Sequence, residues 1–389
     1  GQWLGPYTHL TLAKGAGYPV FLALVNTLNL PVKLAEHAVY ITASVALSVM
    51  AGLLYKSRRA AVFIFLCLAV NPALWSHGAQ RITRESFYAG LCVAIFAGAA
   101  WFLSSSAWRA RLRLRMVAAL GVGLLVGAFM VTREEGIWIV PSLLVIALGA
   151  YAMRRSLLVS AEVKSGSTAV QLSSVLALLL IGAGVAPLSF SLLNKEVYGS
   201  GLLNDLNAGA YPAAYGAIVS LHPSDQDPRL GFTDETVRII QQASPEASLL
   251  LPHLPMEEDA NWRRVTCSEL KLSPCPRVIG SAWLLWALRQ AASDEGQFKS
   301  AADAQRYFRK IATDLHAACA SGRVHCEKLQ RGLAPPPRLE YVPRITQGVH
   351  EGLKILWTLG SPNINWLEYP GSSVEEIRFS RISGPISSP

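Results

Sequence analysis

Residues 87–131 read FYAGLCVAIFAGAAWFLSSSAWRARLRLRMVAALGVGLLVGAFMV. Two apolar runs, Phe87–Leu103 and Met116–Val131, flank a linker that carries Arg109, Arg111, Arg113 and Arg115. Apolar residues fall on every side of each run rather than along one stripe, which is the pattern of a helix surrounded by lipid. A bilayer-spanning helix needs about 20 mainly apolar residues. Two such runs around a basic linker predict a helical hairpin in a membrane, and the rest of the chain repeats the pattern.

Further apolar segments occur at Leu34–Tyr55, Ala60–Trp75, Ile137–Met153 and Gln171–Leu192, so the sequence predicts a polytopic bundle of about six spans. The second is short, with Asn71 and Pro72 near its end. Composition agrees: 51% of the chain is hydrophobic and 16% is charged, against about 25% charged in ordinary soluble domains. Mean hydropathy is +0.32. Up to Leu192 there are 15 Lys+Arg against 5 Asp+Glu; from Leu193 onward there are 20 against 21. The net +9 therefore belongs to the first half, in short blocks between apolar runs, which is a topology signal and not a nucleic-acid footprint.

If six spans alternate, Lys56, Arg58, Arg59, the four linker arginines, Arg154, Arg155 and Lys164 fall on one side. Lys14, Lys33, Arg81, Arg84 and Arg133 fall on the other. The positive-inside rule makes the richer side cytoplasmic. Residues 1–192 then form a transmembrane domain in the inner membrane, and residues 193–389 form an extracytoplasmic one. The chain begins at Gly1 with no signal-peptide pattern, so a segment upstream is expected.

Four of the six cysteines lie in the second half as two close pairs, Cys267 with Cys275 and Cys319 with Cys326. An even number on an exterior side favours disulfides, and local pairing is expected over crossed pairing. Zinc fits poorly, because neither pair has CxxC spacing and His325 sits directly beside Cys326. The second half otherwise reads as mainly helical. Ala304, Tyr307, Phe308, Ile311 and Leu315 recur at steps of three and four, with Ser300 as N-cap and Asp303 three residues on. In "SAWLLWALRQAA" (281–292), Trp283, Leu284, Trp286, Ala287 and Leu288 keep helical spacing.

Four polar groups fall at the outer ends of the spans: His9, Lys14 and Tyr18; His77, Arg81, Arg84 and Glu85; Arg133, Glu134 and Glu135 in "TREEG"; and Lys195, Glu196 and Tyr198. The last group reads as interfacial anchors. The charges of "TREEG" either converge on a polar cavity or form salt bridges such as Arg133 or Arg84 with a glutamate. Lys14, Arg81, Arg84 and Arg133 make a cationic rim suited to a lipid phosphate, arginine through bidentate contacts and lysine as a point charge. Lys14 has a simpler reading as well, snorkelling to headgroups. A carboxylate in such a rim can serve as general base.

In this order and sidedness, "KGAGYPVFLAL" (14–24), "RITRESFYAGL" (81–91) and "TREEGIWIVP" (132–141) resemble the GT-C superfamily of polytopic glycosyltransferases. That group includes protein mannosyltransferases and lipid A aminoarabinose transferases. The resemblance covers residues 1–192, with Ala16 where the family's "KGPGYP" form has proline. It implies transfer of a sugar from a polyprenyl-phosphate donor to a lipid, glycan or protein acceptor at the outer face. By resemblance, Lys14, Tyr18, Arg81, Arg84 and Arg133 contact the donor phosphate, and Gly15 and Gly17 let the backbone turn close to it. Tyr18-Pro19 opens a juxtamembrane helix, and Glu85 and Glu134 play supporting roles. The family's catalytic aspartate belongs ahead of "WLGPY" (3–7), and no aspartate precedes Asp205, so that base is expected upstream of Gly1. No cofactor is demanded by the residues, and a divalent cation is compatible with the family. The alternative is a non-catalytic membrane protein that binds or transports a lipid-linked sugar, or anchors its exterior domain. Paired broken spans in two halves, the mark of many transporters, are absent from the sequence. So are GxSxG, HExxH and P-loop motifs.

Overall fold

The computed structural model describes residues 5–71, 74, 81–104, 111–158, 165–221, 229–257, 260–326, 339 and 342–358. Pro72, Trp75, His77, Arg109 and Lys164 lie outside these residues. The chain divides into two compact units. One comprises Gly15–Phe190 and the chain from Val342 onward, and the other joins the residues up to Lys14 with Ser191–Tyr341. The division falls at Phe190/Ser191, and residues 5–14 cluster with the later unit.

The apolar unit contains α1 (Gly17–Thr27), α2 (Val32–Leu54), α3 (Arg58–Ala69), α4 (Arg84–Leu103), α5 (Leu112–Thr132), a 3-10 turn (Glu134–Trp138), α6 (Ile139–Leu158) and most of α7 (Ser165–Tyr198). Among the described residues, four helices are long and apolar enough to cross a membrane: α2, α4, α5 and, within α7, Ser173–Tyr198. About six were expected from sequence, and the remaining two expected segments correspond to α3 and α6. Helix α3 has 12 residues and starts at Arg58 on the cap of Ser57, whose hydroxyl accepts from Ala60 N. Helix α6 has 20 residues and covers most of the segment expected at Ile137–Met153, with Arg154 and Arg155 following its apolar stretch.

Helix α2 packs on α3 and α4, and α4 packs on α5. Between α5 and α7 the contact is made by glycines. A Cβ at Gly123 would meet Leu179 O at 2.2 Å, one at Gly127 would meet Ala183 O at 2.8 Å, and one at Gly182 would meet Leu120 O at 2.6 Å. Small residues four apart let two helix backbones approach this closely in lipid, where dispersion and not water exclusion drives association. The remaining faces carry exposed apolar side chains, among them Val45 and Val49 on α2, Phe63 on α3, and Leu180 and Leu188 on α7. Apolar surface left uncovered on helices of this length is the kind that lipid covers in membrane proteins.

The later unit is built from α8 (Ala210–Val219), α9 (Asp234–Ala243), α10 (Pro245–Ser248), α11 (Asn261–Leu270), α12 (Ser281–Asp294) and α13 (Ala301–Ala320). A short antiparallel ribbon, Phe232–Thr233 against Val278–Ile279, ties the start of α9 to the segment before α12. Helix α8 packs on α13, with Tyr211 edge-on to Phe308 at 4.8 Å. Helix α13 begins as the sequence predicts: the Ser300 hydroxyl accepts from Asp303 N at 3.1 Å, and Ala304, Tyr307, Phe308, Ile311 and Leu315 are buried. Disulfides Cys267–Cys275 and Cys319–Cys326 close the turns after α11 and α13, in the local pairing expected. Loops this short are worth about 2.5 kcal/mol each by chain entropy. Cys319→Ser with Cys326→Ser is therefore expected to lower the unit's unfolding free energy by about that amount, read from denaturant unfolding with and without reductant.

The last described element, α14 (Val342–Thr358), belongs by clustering to the apolar unit.

Candidate functional site

The apolar unit gathers a charged layer where α1 and α2 begin, α4 begins and α5 ends. Helix α1 reaches this layer because Gly15, just before it, and Gly17, its first residue, have no side chains. A Cβ on Gly15 would lie 2.1 Å from Val131 O, and one on Gly17 would lie 2.4 Å from Thr132 Oγ1 and 2.9 Å from Thr132 Cα. The glycines of the "KGAGYP" stretch thus let α1 sit against the end of α5. Phe21 then stacks on Phe87 at 4.1 Å, which brings α1 beside the start of α4.

At the centre lies Glu36, on the first turns of α2 and completely buried. Its carboxylate accepts from the Tyr18 hydroxyl at 2.5 Å and from Lys33 Nζ at 2.7 Å. Burial raises the Tyr18 phenol well above its ordinary pKa, and the hydrogen bond to Glu36 raises it further. The hydroxyl keeps its proton and donates a hydrogen bond to Glu36, so Tyr18 acts here as a brace.

A second group forms around "TREEG". Arg84 Nη1 donates to Glu134 at 2.7 Å, joining the start of α4 to the turn after α5. Arg133 Nε donates to Glu135 at 2.8 Å, its Nη1 approaches Glu85 at 3.8 Å, and its guanidinium lies over the Tyr88 ring at 5.6 Å. Burial pushes the Glu135 carboxyl up, but hydrogen bonds from Arg133 and its own backbone, with the Arg133 and Arg84 charges, outweigh this. Its pKa lies below the usual glutamate range. The salt-bridge alternative for "TREEG" is the one the structure contains. Arg81 stands three residues ahead of Arg84, just before α4.

Together these contacts set Lys33, Arg84 and Arg133 against Glu36, Glu85, Glu134 and Glu135, so the cations of the layer are met by carboxylates and it is not net cationic. Lys14 is placed differently: it clusters with the later unit, where its ammonium lies 5.3 Å from the Trp286 ring centre. Glu36 is the member that sequence reading missed. A lone glutamate in an otherwise apolar run, three residues after a lysine, was the available signal.

An apolar groove of about 660 Å³ runs between α2 and α4, lined by Val39, Ala43 and Ala46 on one side and Ala94, Gly98 and Trp101 on the other. Glu36 precedes Val39 by three residues and Ala43 by seven, which places it on the same helix face at the groove's end. The lining on α2 extends from Ala38 to Met50, about 18 Å of helix.

The later unit has a buried ion pair of its own. Arg289 on α12 is fully buried and bonds Asp205 Oδ1 at 2.8 Å. Its other nitrogens donate to the carbonyl of His9, and it lies 5.1 Å from the rings of both Tyr211 and Phe298. Asp205 N donates to Leu12 O at 2.9 Å, so the same residues hold the chain's beginning. Burial lowers the His9 pKa, and the Arg289 charge lowers it further. A depressed histidine favours the neutral ring when folded, so its contribution is present above about pH 6.5 and is lost as pH falls through the folded value. Thermal stability is expected to fall between about pH 7.5 and about pH 5.5, with a smaller fall in His9→Gln.

No known protein family, no characterised protein and no solved structure matches this chain. Among the described residues, no three His, Cys, Asp or Glu side chains are grouped to hold a metal ion.

Proposed function

We propose that the chain is a multi-pass inner-membrane glycosyltransferase of GT-C type with about six spans and an extracytoplasmic later unit. It would transfer a sugar from a polyprenyl-phosphate carrier to an acceptor at the outer face. The observation that supports this reading is the charged layer at the end of the α2/α4 groove, within one unit. The groove suits a hydrocarbon chain, and the layer suits the phosphate that such a chain carries. In the transfer, an acceptor hydroxyl oxygen attacks the anomeric carbon, and the bond from that carbon to the phosphate oxygen breaks. Arg84 and Arg133 steady the departing phosphate, and a carboxylate takes the hydroxyl proton. Of the two supporting glutamates, Glu134 is committed to Arg84 at 2.7 Å, whereas Glu85 is half exposed and 3.8 Å from Arg133. Glu85 is therefore the better placed to meet an acceptor.

The charge balance of the layer favours one second reading, a non-catalytic protein that binds a lipid-linked sugar or anchors its later unit. Binding of polyprenyl phosphate and of polyprenol in nanodiscs separates the cases. The transferase reading expects the phosphate to be preferred, and Arg133→Gln to weaken it roughly tenfold or more, since a charge-assisted bond is worth about 1.5–3 kcal/mol. Equal binding of both lipids, unchanged in Arg133→Gln, would overturn the donor site and leave the anchor.

A further inference from the structure

Helix α14 has 17 residues, and every one of them whose surface is described is exposed, from Val342 to Lys354 and again at Trp357. Its composition does not suit that exposure. Val342, Ile345, Val349, Leu353 and Trp357 follow one another at steps of three and four, so they form a single apolar stripe. Arg344, Gln347, His350, Glu351 and Lys354 occupy the opposite arc. Along the stripe Trp357 is 90% exposed and Ile345 and Leu353 are each 61% exposed. An isolated helix of this length is marginal in water. Something must cover the stripe.

We infer that α14 lies in the plane of the membrane interface, its stripe of Val342, Ile345, Val349, Leu353 and Trp357 buried in lipid and Arg344 and Lys354 facing anionic headgroups. At about 25 Å the helix is shorter than the hydrocarbon core, and four ionisable residues make spanning costly. A marked stripe, a charged opposite face and an aromatic residue near one end are the features of an interfacial helix. The helix also belongs to the unit that carries the four bilayer-length helices, so a lipid surface is always at hand. Its charge suits that surface: two cationic side chains stand against one carboxylate. The inference rests on the membrane reading of those helices and is independent of glycosyl transfer.

The test uses the full chain with Cys67→Ser and Cys92→Ala, reconstituted in vesicles of phosphatidylethanolamine and phosphatidylglycerol. Single cysteines at 345, 349 and 353, and at 347, 351 and 354, carry a spin label. Labels on the stripe should be accessible to oxygen at a depth of about 5–10 Å, and labels on the opposite arc should be accessible to a water-soluble nickel complex. Fluorescence difference between the chain and its Trp357→Phe variant should be quenched by shallowly brominated lipid. Val45→Cys on α2 is the control for the membrane reading. If Val45→Cys reports a deep position while all six α14 labels meet the nickel complex equally, the interfacial helix is overturned and the spans stand. Stripe labels shielded from both reagents would overturn it in favour of a protein partner or a second copy. Loss of oxygen access at both sites would overturn the membrane reading as well.

Discussion

Gly15→Ala is expected to lower the unfolding free energy of the apolar unit by about 3 kcal/mol, the upper end of ordinary overpacking. The added Cβ would stand 2.1 Å from Val131 O and 2.9 Å from the carbon that bears it. Both atoms are backbone at the end of α5, so neither can swing aside as a side-chain tip would. Relief requires α1 to move away from α5, which pulls Phe21 off Phe87 and Tyr18 off Glu36. Gly17→Ala should be milder, because part of its clash is with the Thr132 hydroxyl. Ala16→Gly, between them, is the control. Thermal unfolding in detergent reads all three. An unchanged Gly15→Ala protein would mean that α1 does not sit on α5.

The second large effect is expected at Asp205. Asp205→Ala should cost about 3–5 kcal/mol, because it leaves the Arg289 guanidinium charged and fully buried without a countercharge. Arg289→Met should cost a similar amount, since it leaves Asp205 unpaired and removes the donors to the His9 carbonyl. The double variant should cost clearly less than the two losses combined, because a buried pair replaced by apolar groups leaves no orphan charge. A burial-raised pKa at Asp205 sets the sign with pH: its contribution is full below the ordinary aspartate value and declines as pH rises through the folded one. Strict additivity in the double-mutant cycle would show that the two residues do not act as a pair.

What could be read from sequence divides along the range of the interactions. Helix α13 was legible residue by residue, because its cap and its stripe are local: Ser300 serves Asp303, and Ala304 to Leu315 repeat at helical spacing. The bilayer-length helices were legible for the same reason, since apolar residues on all sides need no knowledge of neighbours. Arg289 was not. It follows an apolar run on α12 and looks like the polar end of that helix, yet its partners lie 84 and 280 residues away. Glu36 was passed over as one charge in an apolar stretch, because Tyr18 comes to it only when α1 packs on α5. The glycines at 15 and 17 were read as a turn beside a phosphate, while their close neighbours are Val131 and Thr132. Which helix touches which is not written in any one segment.

The bond from Arg289 to the carbonyl of His9 also sets an order of events during synthesis. Ribosomes add about 5–20 residues per second, so the 280 residues between them take roughly 15–55 s to appear. Throughout that interval the chain's opening segment has neither Arg289 nor, for most of the time, Asp205 to receive it. Helices α1 to α7 are all made during the wait, before Arg289 exists to receive the residues ahead of them. Residues His9–Leu12 therefore reach their place only after α12 has been made, and a chain interrupted anywhere before α12 leaves them without it.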